Sequence, residues 1–127
     1  MLNARGACVS GVRGNCDAEI DQMVLEFPMM ADYCLLFAGS RTVFVTHGHL
    51  WNRDRLPPLR PGDLLLHGHT HVPTWDETNE GLTILNPGSV SIPKENTPHG
   101  YLIFDGREFV WKIVNGEEYH RLSLKGM

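Results

Sequence analysis

Membrane spans, disulfide scaffolds and nucleic-acid grips are all missing from this chain. No apolar run approaches the roughly 20 residues that a bilayer-crossing helix needs. The N-terminal stretch Met1 to Gly6 lacks the apolar centre of a secretory signal. Cysteine occurs three times, as Cys8, Cys16 and Cys34, with no Cys-x-x-Cys spacing. An odd count of that kind excludes a regular disulfide framework and suits a reducing compartment, so the cytoplasm is the expected location. Positive charge is scarce as well. Eleven Lys and Arg face 15 Asp and Glu, a net charge of −4. Gripping a phosphate backbone takes a broad basic surface, so no extended nucleic-acid surface and no membrane partner are expected. Repeats and low-complexity linkers are absent, which leaves one domain over residues 1–127.

What is present is ordinary for a globular domain. The 127 residues are 42% hydrophobic and 20% charged, enough for one small core. Short apolar runs alternate with turn signals. Tyr33 to Phe37 and Thr42 to Thr46 flank Ala38-Gly39-Ser40-Arg41, a hairpin pattern. Leu50 to Pro61 contains Pro57, Pro58 and Pro61, so it reads as a loop. Leu64 to His67 and Leu82 to Leu85 are further strands, with Asp76 to Gly81 as a connection. Tyr101 to Phe104, Glu108 to Val114 and Glu118 to Leu124 are joined by Asp105-Gly106 and Asn115-Gly116, the strongest short hairpin signals. Near the start, Cys8 to Arg13 reads as a strand. Asp17 to Phe27 has helical spacing through Ile20, Met23, Val24 and Phe27. The fold class is α/β, more narrowly α+β and rich in β.

Three of these runs end in polar turns. Cys8 to Val12 leads into Gly14-Asn15-Cys16-Asp17. Val43-Phe44-Val45 leads into Thr46-His47-Gly48-His49. Leu64 to Leu66 leads into His67-Gly68-His69-Thr70-His71. Function gathers at the carboxyl ends of strands in open α/β sheets. In an extended segment, side chains two apart point the same way, which would aim His69 and His71 at one locus. Two imidazoles on one locus point to a metal, since His is the commonest metal ligand. A fourth motif, Asn86-Pro87-Gly88-Ser89, reads as a tight turn bracing the His loop. His49 fits a supporting place beside the site, a contact with substrate, or a structural turn. His67 carries no assignment, and His99 and His120 read as solvated.

The four motifs, in this order from about Val9 to Pro93, resemble the calcineurin-like metallophosphoesterases and, within them, a branch of small bacterial phosphodiesterases. The resemblance implies a two-sheet β-sandwich flanked by helices. It implies metal-dependent hydrolysis of a phosphodiester substrate through a metal-activated hydroxide. It assigns Asn15, His47 and His69 to one metal and His71 to another. Mixed O/N ligation suits Mn²⁺, Zn²⁺, Fe²⁺, Ni²⁺ or Co²⁺ over Ca²⁺ or Mg²⁺, and Mn²⁺ is the ion expected foremost. Cys16 stands where most of the superfamily has the His that protonates the leaving oxygen. It reads equally as a catalytic thiol or a small buried residue. Asp17 takes the place of an acid that orients its neighbours.

The family's opening Asp-x-His and Gly-Asp motifs have no counterpart before Asn15. The chain is therefore expected to match the C-terminal portion of the family domain, lacking the N-terminal strands. All four assigned ligands are neutral, so two close divalent ions would repel with little to offset them. At most one ion is expected here. Self-association, or a second chain supplying the N-terminal half, is the expected partner. The alternative is a non-catalytic metal-binding or protein-interaction module of the same fold.

Overall fold

The structure, a computed structural model, describes residues 11–14 and 30–124. The strand expected at Cys8 to Arg13 is described only from residue 11, where Val12 bridges Ala31 in parallel. The helix expected at Asp17 to Phe27 lies outside the described residues, as do Asn15, Cys16 and Asp17. No helix among the described residues is long and apolar enough to cross a membrane.

Aromatic and aliphatic residues before Gly39-Ser40 and β-branched ones after it form the expected hairpin, Tyr33–Ala38 (β1) with Arg41–Thr46 (β2). A two-residue connection with Gly at positive φ matches the twist of the paired strands. The Pro-rich loop carries the chain to Leu64–His67 (β3), which runs parallel to β2. Thr74–Glu77 (β4) and Thr83–Asn86 (β5) follow. β5 is parallel to β3, and β4 closes the far edge antiparallel to β5. The sheet order is β1-β2-β3-β5-β4. Gly100–Phe104 (β6), Glu108–Ile113 (β7) and Glu118–Ser123 (β8) form a second, three-stranded antiparallel sheet.

Period-two alternation decides what each face buries. Val43, Leu64 and Leu85 point to one side of the first sheet and meet Phe109 and Trp111 of the second. Val45, Leu66, Leu102, Phe104 and Tyr119 pack around that contact. This is the two-sheet sandwich the sequence implied. Each fully buried large side chain there contributes roughly 1.5–3 kcal/mol. Phe44, Leu65 and Ile84 point to the opposite side, where Trp51, Leu56 and Leu59 of the loop cover them. Buried Asp63 fixes the loop's end, accepting from the backbone N–H of Thr42 and of Arg60, each at 2.9 Å.

Two expectations are corrected. The Asp76 to Gly81 connection begins inside a strand, because Thr74 to Glu77 pairs residue for residue with β5. That strand is half-exposed to exposed along its length and carries no alternating signal. His120 is half-buried and not freely solvated. It stacks on Trp75 with ring centroids 3.7 Å apart, so the two sheets meet there as well.

Candidate functional site

The three parallel strands deliver the site. β2, β3 and β5 end side by side, with Thr46 in register with His67. His47, Gly68 and Pro87 therefore leave the sheet along one edge. The Gly68 N–H donates to the His47 carbonyl at 2.9 Å and locks the first two turns together. Gly48 lets them close. Its φ is +115°, and a Cβ there would lie 3.0 Å from the Gly68 carbonyl oxygen and 3.1 Å from the His69 Cβ.

The structure brings His47, His49 and His69 together. The His47 ring lies 5.0 Å from that of His69, edge-on, and 5.0 Å from that of His49. The Nδ1 atoms of His47 and His49 are 3.0 Å apart. His49 is thus a direct neighbour of His47. His71 faces another way, with its Nδ1 2.8 Å from the Ile92 carbonyl oxygen.

The reasoning that paired His69 with His71 is corrected in its geometry. β3 ends at His67, and both later histidines are left-handed, with φ of +71° and +62°. An extended period of two does not apply to them. Left-handed backbone costs a non-glycine residue about 1–2 kcal/mol, and such residues cluster at functional sites. Asn86 holds the turn in that shape. Its amide donates to the Gly68 carbonyl at 3.2 Å and to Thr70 Oγ1 at 2.9 Å, and its Oδ1 accepts from the Gly88 N–H at 2.9 Å. The Trp111 indole N–H donates to the Asn86 carbonyl at 2.8 Å. The Asn86 to Ser89 motif braces the His turn, as its composition implied.

Several carbonyl contacts fix imidazole tautomers. A carbonyl only accepts, so the proton sits on Nδ1 and the lone pair stays on Nε2. This holds for His71 against Ile92 and for His67 against Gly68 at 2.9 Å. Burial pushes the His67 pKa below its ordinary value, although the Gly68 carbonyl acts the other way. The Arg53 guanidinium adds to the depression. His67 is therefore a buried, neutral floor to the site.

A hollow of about 320 Å³ opens over this floor. His67, His69, Thr70 and Thr74 line it together with Asn52, Arg53 and Asp76. Those last three carried no sequence expectation. The polar run Asn52-Arg53-Asp54 inside a Pro-rich loop was the available signal, but nothing local aimed it at the histidines.

The donor set suits a transition metal in part. Two imidazoles edge-on to one another are borderline nitrogen donors of the kind such ions take. Among the described residues, no group of three or more His, Cys, Asp or Glu side chains is arranged to hold a metal ion. What the described residues supply is the His47–His69 pair with His49 behind it.

A mixed sheet with histidine turns at the ends of its parallel strands defines a class. Residues 3–108 match the Calcineurin-like phosphoesterase superfamily domain, and the chain belongs to that superfamily. It is 44% identical over 104 residues to Phosphodiesterase YfcE of Escherichia coli K12, a match covering 82% of this chain and 56% of that protein. It is 34% identical over 100 residues to Probable metallophosphoesterase YsnB of Bacillus subtilis 168, covering 72% of this chain and 53% of that one. The chain thus spans about half the length of these curated relatives. The solved structure of YfcE, a phosphoesterase from E. coli, superposes with a TM-score of 0.90 at 37% identity, over 98% of this chain and 68% of that one. The fold is the mixed α/β metallophosphoesterase fold.

Proposed function

We propose that this chain carries a metal-dependent phosphodiesterase site at the carboxyl edge of β2, β3 and β5. The observation behind the reading is the meeting of His47 and His69 across adjacent parallel strands. Asn15, His47 and His69 would hold a divalent transition metal, Mn²⁺ foremost, with His71 belonging to the second metal position of the intact family site. A divalent ion held there supplies Lewis-acid polarisation of the phosphate oxygens and eases deprotonation of the attacking water. Without a carboxylate among the four ligands, one ion is the expected load.

The chain's own groups do the rest. The His71 tautomer leaves Nε2 aprotic and able to ligate. His49 holds the His47 ring in place. By the family resemblance, Cys16 would stand in for the proton donor to the leaving oxygen. A thiol with an ordinary pKa of about 8.5 is a weak proton donor at neutral pH, so diesters with good leaving groups are the favoured substrates. Asp17 would orient its neighbours by hydrogen bonding.

One observation favours a second reading, a non-catalytic metal-binding module: the described residues form a ligand pair and not a triad. Hydrolysis of bis(p-nitrophenyl) phosphate with Mn²⁺ decides between them. The phosphodiesterase reading expects turnover that is lost in His69→Ala and kept in His99→Ala. A folded chain that binds Mn²⁺ and turns nothing over would leave the binding module standing.

A further inference from the structure

Arg53 is the one Lys or Arg among the described residues that line the histidine hollow. It sits on a turn built by Asn52. The Asn52 Oδ1 accepts from the N–H of Asp54 at 2.9 Å and of Arg55 at 3.1 Å. The Asn52 amide donates to the Gly48 carbonyl at 3.0 Å. Gly48 lies between His47 and His49. The backbone that carries Arg53 is therefore tied directly to the imidazole cluster.

The guanidinium itself pairs with Asp76 of β4 at 2.5 Å. Both side chains are more than half exposed, at 53% and 57%. Exposed pairs of this kind contribute little to stability, so the guanidinium is cheaply released. The pair stands on a ridge. On one side is the histidine hollow; on the other is a second hollow edged by Glu77 and Glu80. Carboxylates repel an anion from that second side. An anion entering the histidine side meets imidazoles, threonine hydroxyls and one guanidinium, beside Asp54 and the Asp76 carboxylate it would displace. Arg matches phosphate geometry through two parallel N–H donors, which a single carboxylate partner does not outbid once released.

We propose that Arg53 binds a phosphate oxygen of the substrate and that Asp76 is its resting partner, competing for the guanidinium. This rests on the phosphodiesterase reading of the same hollow. Arg53 is a substrate-binding group and Asp76 a positioning one, acting through it. The consequence is opposite signs for the two substitutions. Removing the guanidinium weakens binding. Removing the competing carboxylate strengthens it.

Kinetics on bis(p-nitrophenyl) phosphate with Mn²⁺ test this in Arg53→Ala and Asp76→Asn, with inorganic phosphate binding followed by calorimetry. KM is expected to rise about tenfold in Arg53→Ala and to fall about threefold in Asp76→Asn, with kcat changed less than about twofold in each. Phosphate affinity should move in the same opposed directions. If both substitutions shift KM and phosphate affinity the same way, or neither does, the pair is only a brace and the proposal is overturned. If the parent chain shows no turnover while phosphate affinity follows the opposed pattern, Arg53 is confirmed as an anion-binding group and the phosphodiesterase reading fails. If turnover depends on His69 but is indifferent to Arg53, the proposal fails and that reading stands.

Discussion

Asn86 donates its side-chain amide to the Gly68 carbonyl across 3.2 Å, joining the end of one parallel strand to the turn that follows its neighbour. Asn86 is fully buried and uses its amide oxygen as well, accepting from Gly88. The turn it holds contains two left-handed histidines. The bracing residue and the strained residues are thus parts of one device. The brace offsets the cost of a backbone shape that aims His69 at His47.

Asn86→Ala removes three side-chain hydrogen bonds and leaves a buried void. A loss of about 2–4 kcal/mol is expected in urea unfolding. Asn86→Asp is expected to lose less volume but to fail at the two donor contacts, to Gly68 and Thr70. A loss below about 0.5 kcal/mol in both would show that the turn holds its shape unaided.

The Tyr119 hydroxyl is buried and has no hydrogen-bond partner among the described residues. Burial also pushes its pKa up. Tyr119→Phe removes a desolvated group and breaks no bond. The expected change is between none and a gain of about 1 kcal/mol, read from the urea midpoint. A loss greater than that would mean the hydroxyl is satisfied after all.

Acid stability has a local handle at Asp105. Its carboxylate accepts from the N–H of Glu108 and of Arg107, each at 2.8 Å, and these bonds hold its pKa below the ordinary carboxylate value. A carboxyl depressed by folding contributes stability at pH values above its unfolded pKa. That contribution is lost as pH falls through the lower, folded value. Parent and Asp105→Asn chains should therefore differ in urea midpoint at neutral pH and converge on acidification. A gap that stays constant with pH would contradict the charged hydrogen bonds.

Local chemistry wrote much of this fold into the chain. The β1–β2 hairpin follows from Gly39-Ser40 between an apolar, aromatic-bearing run and a β-branched one, and the β6–β7–β8 sheet from Asp105-Gly106 and Asn115-Gly116. Strand bounds moved by a residue, as where Leu82 to Leu85 became Thr83–Asn86. β4 was invisible because it is an edge strand with exposed Trp75, Asp76 and Glu77, and only its pairing with β5 makes it a strand. His120 was misread for a similar reason. Its burial comes from Trp75, which lies 45 positions earlier in the chain (120 − 75) and in the other sheet.

The histidine turns at the strand ends were legible in the sequence, and their backbone shape was not. The family resemblance grouped His47 and His69 with Asn15 on one metal, and the structure brings the His47 and His69 rings together. Nothing in a His-Thr-His string announces positive φ, a conformation usually signalled by Gly or Asn. Arg53 and Asp76 were out of reach because 23 positions separate them in the chain (76 − 53), and they meet only across the hollow. Asn15, Cys16 and Asp17 lie outside the described residues, so their roles remain part of the proposal.

The central claim is that His47 and His69 are two ligands of one metal. Titration of the purified chain with Mn²⁺, with free ion followed by electron paramagnetic resonance, tests it most directly. One ion per chain is expected, with affinity reduced at least about tenfold in His47→Ala and in His69→Ala and unchanged in His99→Ala. Equal affinity across all four chains would contradict it.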